Sequence, residues 1–491
     1  MRMTLKDITA GIPCIGIQGR SDIVIAGITY ASGKVKKDDL FAALKGEKTD
    51  GNLHVPEAIE RGAAAVLSDR EKPQGSNVCW IQARDPREAM ALAAANFYRH
   101  PSRELKVVGV TGTKGKTTIT YLLESIFRAD GKYPGVIGTI SYRGPGFERT
   151  ARRTTPEAPD LQAMLRIMAD NGGTHAVIEV SSHSLDFKRV YGIGFDVAVF
   201  TNLSGEHLDY HRTMDAYFES KETLFRLGDK NRMAVINTDD AWGQKLSERL
   251  AGGVISFGLD KSAIVRAEDC SFTEEGLQMR LRYPAGSTIL RSPLLGKPNI
   301  YNILAAVSVA LTLNTPLPRI LEGIKNLPGV PGRFQSIPNS RNLSIFVDYA
   351  HTDDALLNLL ETARGLNPNR VILVFGAGGD RDRSKRARMG EAAGRFADWS
   401  IITNDNPRSE DPRAIIDDIR QGIEKTGGGR YAVIPDRRDA IAEALSMGRE
   451  GDCILIAGKG HENYQIIGEN VSPFDDAEVV HEILKKGGPV Q

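Results

Sequence analysis

Apolar residues along this chain fall into two alternating patterns. Short runs rich in Val, Ile and Phe predict buried strands, and stretches with helical apolar spacing predict helices. The sharpest junction is Val107-Val108-Gly109-Val110-Thr111-Gly112-Thr113-Lys114-Gly115-Lys116-Thr117-Thr118. There a strand run enters a glycine-rich turn, and the helical stretch 119–127 follows.

Upstream, strand patterns at 23–30, 63–67 and 78–82 and helical patterns at 56–61 and 86–98 lead to a polar stop, Tyr98-Arg99-His100-Pro101-Ser102-Arg103. A domain boundary is expected at that stop. Downstream, strands at 176–180, 196–201 and 234–237 alternate with helices, as in a parallel sheet covered on both faces. Past Gly258 the pattern shifts to short alternating segments, 277–281 and 288–290, which predict an antiparallel patch, followed by a helix over 299–313. The connector Leu327-Pro328-Gly329-Val330-Pro331-Gly332-Arg333-Phe334 marks a second boundary. The last third carries apolar runs at 344–349, 371–375, 400–403, 431–434 and 453–457, each ending in a polar loop with Gly or Asp. The expectation is an α/β protein of three domains, 1–103, 104–335 and 336–491. The middle one is a P-loop-type parallel-sheet domain and the last a Rossmann-like α/β domain. In open α/β sheets ligands sit at the carboxyl ends of strands, so chemistry is expected in those loops.

Composition narrows the partners. Lys and Arg number 63 against 62 Asp and Glu, which leaves no global field to draw in nucleic acid or a membrane surface. No apolar stretch is long enough for a membrane span, and Met1-Arg2-Met3-Thr4-Leu5-Lys6-Asp7 lacks the apolar core of a signal peptide. Cys14, Cys79, Cys270 and Cys453 are scattered without a C-x-x-C, as expected for reduced thiols in a cytoplasmic enzyme.

The strand–turn–helix junction has the layout of a nucleotide phosphate cradle. Glycines let backbone N–H groups approach phosphate oxygens, and the helix start adds partial positive charge. Lys116 would reach the β and γ phosphates, and the Thr117 hydroxyl would ligate Mg²⁺. Val110 stands where the usual first glycine falls, with Gly109 one residue further out. Glu179, closing the run His175-Ala176-Val177-Ile178-Glu179, is a candidate for the same metal ion. The next strand run leads to Thr201-Asn202-Leu203-Ser204-Gly205-Glu206-His207-Leu208-Asp209-Tyr210-His211. His207 and His211 have zinc-helix spacing but lack the H-E-x-x-H frame. Lys221, within the helical stretch 214–227, reads by itself as a solvated surface lysine. In the last third, Asp348-Tyr349-Ala350-His351, Gly376-Ala377-Gly378-Gly379-Asp380-Arg381, Asp405-Asn406-Pro407-Arg408 and Gly458-Lys459-Gly460-His461-Glu462 each follow a strand. Gly-x-Gly-Gly without the full spacing is weak evidence for a dinucleotide. Arg381, Arg408, Asp405 and Glu462 together suit an amino acid, because guanidinium grips carboxylate and carboxylate grips ammonium.

Taken together, these strings resemble the Mur ligase family, ATP-dependent amide-bond-forming enzymes of peptidoglycan synthesis. The resemblance runs in order through Gly-Val-Thr-Gly-Thr-Lys-Gly-Lys-Thr-Thr (109–118), Glu-Val-Ser-Ser-His (179–183), the 200–211 segment, Asp-Tyr-Ala-His-Thr (348–352) and Gly-Lys-Gly-His-Glu (458–462). It implies UDP-binding, ATPase and amino-acid-binding domains, an acyl-phosphate route, and ATP with Mg²⁺. Gly112, Thr113, Lys114, Gly115, Lys116, Thr117 and Thr118 would cradle phosphate. Glu179 and His207 would join Thr117 in the metal sites, and Asn299, Asn302, Arg333 and Asp348 would contact the nucleotide. Lys221 matches the lysine the family carries as a carbamate, which replaces the surface reading. Lys116, Lys221 and His207 would be the catalytic residues, with His207 and His351 both open as the base that frees the amine. Ser32, Thr154, Thr155, Ser181 and Arg189 match contacts to a UDP-N-acetylmuramoyl-dipeptide. Arg381, Asp405, Asn406, Pro407, Arg408, Gly458 and Glu462 match the amino-acid site, and Asp-Asn-Pro-Arg at 405–408 is the string with which family members select meso-diaminopimelate over lysine. A monomer is expected. A lysine-adding or folylpolyglutamate-type ligase of the same fold is the alternative. The chain departs from the family pattern at Ala31-Ser32-Gly33, Lys114, Asp353 and Phe187.

Overall fold

The computed structural model describes residues 1–46, 49–227, 232–273 and 276–486. The chain forms two compact units, the first built chiefly from residues before Glu268 and the second chiefly from Lys325 onward. The first carries two large sheets, beside a small antiparallel pairing of Met3–Thr4 with Val24–Ile25.

Strands β1 (Gly16–Gln18), β2 (Gly27–Thr29), β3 (Asp39–Ala42), β4 (Ala65–Ser68) and β5 (Cys79–Gln82) make the first sheet, in the order β1-β5-β4-β3-β2. Only β1 is antiparallel to its neighbour. Alternate residues serve two cores: Leu40, Ala42, Ala65 and Leu67 on one face, Phe41, Ala43, Val66 and Trp80 on the other. That two-sided burial explains why β3 was not expected from sequence: Asp39-Leu40-Phe41-Ala42 is buried throughout and lacks alternation. Helix α1 (Pro86–Phe97) follows, started by the Asp85 carboxylate, which accepts from the N–H groups of Arg87 and Glu88.

The second sheet is built on β6 (Lys106–Thr111), β7 (Pro134–Ile137), β8 (Ser141–Gly144), β9 (Phe147–Thr150), β10 (His175–Glu179), β11 (Val197–Phe200), β12 (Met233–Asn237) and β13 (Val254–Gly258). Its order is β9-β8-β7-β10-β6-β11-β12-β13, parallel from β7 to β13. The chain therefore leaves β6 toward one side and, after β10, returns to its other side. The carboxyl end of β6 is a topological switch point, where open α/β sheets bind ligands. Helix α2 (Lys116–Ala129) leaves it and buries Ile119, Leu122, Leu123, Ile126 and Phe127, one apolar stripe. The patch expected past Gly258 appears as three strands, Val265–Thr273, Gly276–Tyr283 and Gly286–Ser292, and helix Lys297–Thr312 follows.

In the second unit, strands Gln335–Ser336, Ser344–Asp348, Cys453–Ala457, Val371–Phe375, Trp399–Ile402 and Tyr431–Val433 lie side by side in that order. All but the first pairing are parallel. Leu373 and Leu455 pack into one core with Leu356, Met389 and Ile419, whereas Ile372 and Ile454 pack into another with Ile441 and Val480. Helices thus cover both faces, as the continuous apolar runs require. All four cysteines are unpaired. Among the described residues no helix is long and apolar enough to cross a membrane.

Candidate functional site

The first cluster lies at the carboxyl end of β6. Gly112 has φ +141° and Gly115 φ +92°, and a Cβ on Gly112 would meet Thr201 Oγ1 at 1.9 Å. Only glycine fits there. The loop is tied to the end of β11: Thr113 N donates to Asn202 O (2.9 Å), Lys114 N to Asn202 Oδ1 (3.0 Å), and Thr201 Oγ1 to Lys114 O (2.7 Å). The Lys114 side chain takes no part in these bonds, so the departure from the family pattern leaves the loop intact. Gly115 caps α2, and Thr117 and Thr118 are buried in its first turn. Asn302 approaches from the helix Lys297–Thr312; its Oδ1 lies 2.4 Å from where a Cβ on Gly115 would stand.

Two lysines converge on this loop. Lys116 Nζ donates to the carbonyls of Gly112 and Thr113, both at 2.8 Å, and Lys221 Nζ donates to Gly112 O at 2.9 Å. Lys221 sits on the helix Met214–Glu222, 1% exposed, with its Nζ 4.4 Å from the centre of the Tyr217 ring. The surface reading of this residue in isolation is therefore wrong. Burial, reinforced by the Lys116 charge, drives its proton affinity well below that of an ordinary lysine. His207 has φ +58°, a left-handed conformation uncommon for a residue with a Cβ. Burial pushes its pKa down to about 4, so the imidazole is neutral at pH 7. It lies in an aromatic group with His183 (5.1 Å) and Tyr217 (6.2 Å).

Glu179, 1% exposed at the end of β10, stands beside the cradle because β10 pairs with β6, Glu179 opposite Val110. Its Oε2 accepts from Thr117 Oγ1 (3.1 Å) and Thr139 Oγ1 (2.9 Å), and Oε1 from Thr139 N (2.9 Å). Thr154 joins through its hydroxyl, 3.2 Å from Thr139 Oγ1. Thr155 Oγ1 donates to Glu179 O (2.7 Å) and accepts from Ser181 N (3.2 Å), while Arg189 Nη1 donates to Thr155 O (3.2 Å) and Arg189 Nε pairs with Glu157 (2.9 Å). Thr154, Thr155, Ser181 and Arg189 are thus brought together around Glu179. Two guanidinium groups lie over the Phe187 ring, Arg87 at 4.6 Å and Arg189 at 5.3 Å, a contact an amide could not make. Ser32 begins a short turn of the first sheet's domain and bonds to Glu57.

The second unit holds the other cluster. Asp405, Asn406, Arg408, Gly458 and Glu462 converge at the carboxyl ends of its strands. Asp405 is 7% exposed, and its Oδ2 is buried without a hydrogen-bond partner. A Cβ on Gly458 would come within 2.4 Å of that oxygen. Glu462 Oε2 accepts from Asn406 Nδ2 at 2.8 Å. Burial, then the nearby Asp405 charge, raises the Glu462 carboxyl above its usual range. Arg408, with φ +54°, donates from Nη1 to Gly379 O at 2.7 Å. Pro407 sets the turn before it, and a Cβ on Gly379 would strike Pro407 O at 1.8 Å. The Gly376–Gly379 run is there because two loops touch backbone to backbone, which accounts for it without a dinucleotide. Arg381 is not gathered in: its side chain is exposed at the border of the cluster.

The expected nucleotide contacts divide between the units. Asn302 lies by the cradle. In the second unit Asn299 Nδ2 donates to Leu295 O (2.7 Å), and the Asp348 carboxylate accepts from Phe334 N (2.6 Å) and Ala350 N (2.8 Å). Arg333 stacks 4.8 Å from the Tyr349 ring, and its Nε is buried without a partner. His351 Nδ1 is 2.9 Å from Tyr349 O.

Sequence reasoning missed Thr139 and Asn202, which hold Glu179 and the phosphate loop, and the buried charges Lys459, Arg437 and Asp476. Arg437 and Asp476 form an ion pair at 2.7 Å with both side chains fully buried. Arg437 and Asp476 sit at helix starts, where charges are ordinary, and Lys459 lies inside a quoted motif whose letters do not say that its side chain is buried.

Family models match three stretches: "Mur ligase family, catalytic domain" at residues 24–98, "Mur ligase middle domain" at 110–310, and "Mur ligase, glutamate ligase domain" at 332–460. The chain is 43% identical to UDP-N-acetylmuramoyl-L-alanyl-D-glutamate–2,6-diaminopimelate ligase of Syntrophomonas wolfei, over 95% of this chain and 96% of that one. It is 44% identical to the protein of the same name from Geobacter metallireducens, over 99% and 100%. A solved structure of a UDP-N-acetylmuramoyl-L-alanyl-D-glutamate–2,6-diaminopimelate ligase aligns over 100% of both chains at 34% identity, with a TM-score of 0.72.

Proposed function

The chain belongs to the Mur ligase family, and from that premise we propose that it joins meso-diaminopimelate to UDP-N-acetylmuramoyl-L-alanyl-D-glutamate, at the expense of ATP, in peptidoglycan precursor synthesis. We assign the uridine part of the substrate to residues 1–103, ATP to 104–335 and the amino acid to 336–491. The protein works as a cytoplasmic monomer, where its nucleotide substrates are.

The reaction begins when the D-Glu γ-carboxylate attacks the γ-phosphorus of ATP, giving an acyl phosphate and ADP. Charge on the transferring group is met by the loop N–H groups, the start of α2 and Lys116. The residues present fit Mg²⁺. Thr117 and the buried Glu179 supply hard oxygen donors 3.1 Å apart, and Mg²⁺ typically takes one or two carboxylates plus substrate phosphates and water. Among the described residues no three His, Cys, Asp or Glu side chains gather as a ready-made cage, so further ligands would come from neutral His207 and a carbamate on Lys221. When bound, the ion neutralises phosphate charge. The amine of diaminopimelate then attacks the acyl carbon: a C–N bond forms, the C–O bond to phosphate breaks, and the ammonium proton is lost to a base. Thr154, Thr155, Ser181, Arg189 and Ser32 hold the nucleotide substrate. Asp405, Asn406, Arg408, Gly458 and Glu462 hold the amino acid, with Arg381 at the border.

The observation that carries the amino-acid assignment is the Asp405 carboxylate. A buried acid oxygen without a partner is costly unless a ligand supplies a donor, and an ammonium does so. Arg408 is the group that tells diaminopimelate from lysine, because only diaminopimelate has a second carboxylate for its guanidinium. A charged hydrogen bond is worth about 1.5–3 kcal/mol, so Arg408→Ala is expected to narrow the preference for diaminopimelate by about ten- to a hundredfold, chiefly through KM. Product mass spectrometry with both amino acids in competition, followed by steady-state kinetics, tests this. Equal kcat/KM for lysine and diaminopimelate in the unmutated protein would refute the specificity while leaving amide ligation standing.

A further inference from the structure

Lys459 is fully buried, though it lies one residue from Gly458 in the amino-acid cluster. It is flanked by Gly458 (φ +117°) and Gly460 (φ +54°). Its Nζ is 3.2 Å from Asn406 Oδ1 and 3.7 Å from Glu462 Oε2. Asn406 Oδ1 also accepts from Ile466 N at 2.9 Å. With two donors aimed at one end of the amide, the flipped orientation would set an NH₂ against an N–H and an ammonium. The Asn406 Nδ2 end is therefore fixed toward Glu462 Oε2, at 2.8 Å. One oxygen of Glu462 is thus held from behind by Lys459 and Asn406. The other lies 3.5 Å from the Tyr349 hydroxyl. Its side chain has no exposed surface and its ammonium points at Asn406 and Glu462, so Lys459 is placed to act through these neighbours.

We propose that Lys459 is the positioning residue of the amino-acid site: it locks the Asn406 amide in one orientation and sets its positive charge behind Glu462, favouring the ionised carboxylate that receives a substrate ammonium. The proposal rests on the amino-acid assignment made above. The charges that face Glu462 support it. Burial and Asp405 favour its neutral form, while Lys459, the Asn406 amide and Arg408 oppose that. Tyr349 and Tyr464 flank it as neutral groups, and Arg437, which also feels Glu462, is already committed to Asp476. Without Lys459 the carboxyl would hold its proton to higher pH, and a neutral acid grips an ammonium poorly.

The test uses the full-length protein with ATP, the nucleotide dipeptide and meso-diaminopimelate, comparing Lys459→Met with Lys459→Gln. The Met variant removes donor and charge; the Gln variant keeps a donor for Asn406 and removes only the charge. Lys459→Met is expected to raise KM for diaminopimelate by about tenfold or more, the usual effect of a lost charge-assisted hydrogen bond, with KM for ATP unchanged. The acid limb of kcat/KM for diaminopimelate should move up by about one pH unit. Lys459→Gln should recover part of the KM but keep the shifted limb, and it carries the test alone if the Met variant fails to fold by circular dichroism. An unshifted acid limb in a folded variant, or a parallel loss toward all three substrates, would overturn the proposal. Failure of the unmutated protein to turn over diaminopimelate would instead overturn the functional reading beneath it.

Discussion

Lys116→Ala is expected to lower kcat by about 10²–10³-fold while leaving KM for diaminopimelate nearly unchanged, the loss that follows removal of one preorganised charge from a transferring group. Lys116 opens α2 and is bound to the carbonyls of Gly112 and Thr113, so its ammonium is held within the phosphate loop before any ligand arrives. A second effect acts in the same direction. The Lys116 charge is one of the forces that lower the proton affinity of Lys221, so its removal returns part of that affinity. Steady-state kinetics with each substrate varied in turn, together with acyl-phosphate trapping, measures the loss. A variant with full kcat and weakened diaminopimelate binding would mean that phosphate is held elsewhere.

On the proposed role of Lys221 as a ligand for the cation that screens phosphate charge, Lys221→Ala should lose at least about 10²-fold in turnover. The chemistry depends on protonation. A neutral amine adds CO₂ to give a carbamate and releases a proton, whereas an ammonium cannot. Because the folded protein depresses the proton affinity of Lys221, its amine is neutral above that lowered pKa. The proposed carbamate would form there and be lost as pH falls through it. Activity of the unmutated protein should therefore fall in CO₂-free buffer and on the acid side. Short carboxylic acids should restore part of the activity of Lys221→Ala by standing in for the missing oxygens, whereas Lys221→Arg, permanently charged, should stay inactive. Carbon-13 NMR after exposure to labelled CO₂ detects the carbamate directly. Wild-type turnover by Lys221→Ala would remove Lys221 from the mechanism.

Several elements were legible because their signal is local. The run 107–118 joins β-branched residues, two glycines and an amphipathic stretch in an order that only a strand, a turn and a helix satisfy, and the structure places β6, the loop and α2 there. The apolar runs of the last third likewise fall on strands Ser344–Asp348, Val371–Phe375, Trp399–Ile402, Tyr431–Val433 and Cys453–Ala457. Strand β3 escaped because a strand covered on both faces has no alternation to read.

Period and turn chemistry, which extend over a few residues, were thus set by the sequence itself, as was the order of motifs that marks the family. Which charges are buried was decided by tertiary structure. Lys221 lies between Ser220 and Glu222 on a short helix, a setting that reads as surface, yet its Nζ meets Gly112 O, 109 residues away. Lys459 is buried by the turn at Asn406, 53 residues distant, while Arg381, equally promising as a string of letters, is left exposed. The physical reason is the same in each case. A side chain's charge, proton affinity and reach depend on the groups packed around it, and those groups come from strands that the sheet, not the sequence, brings side by side.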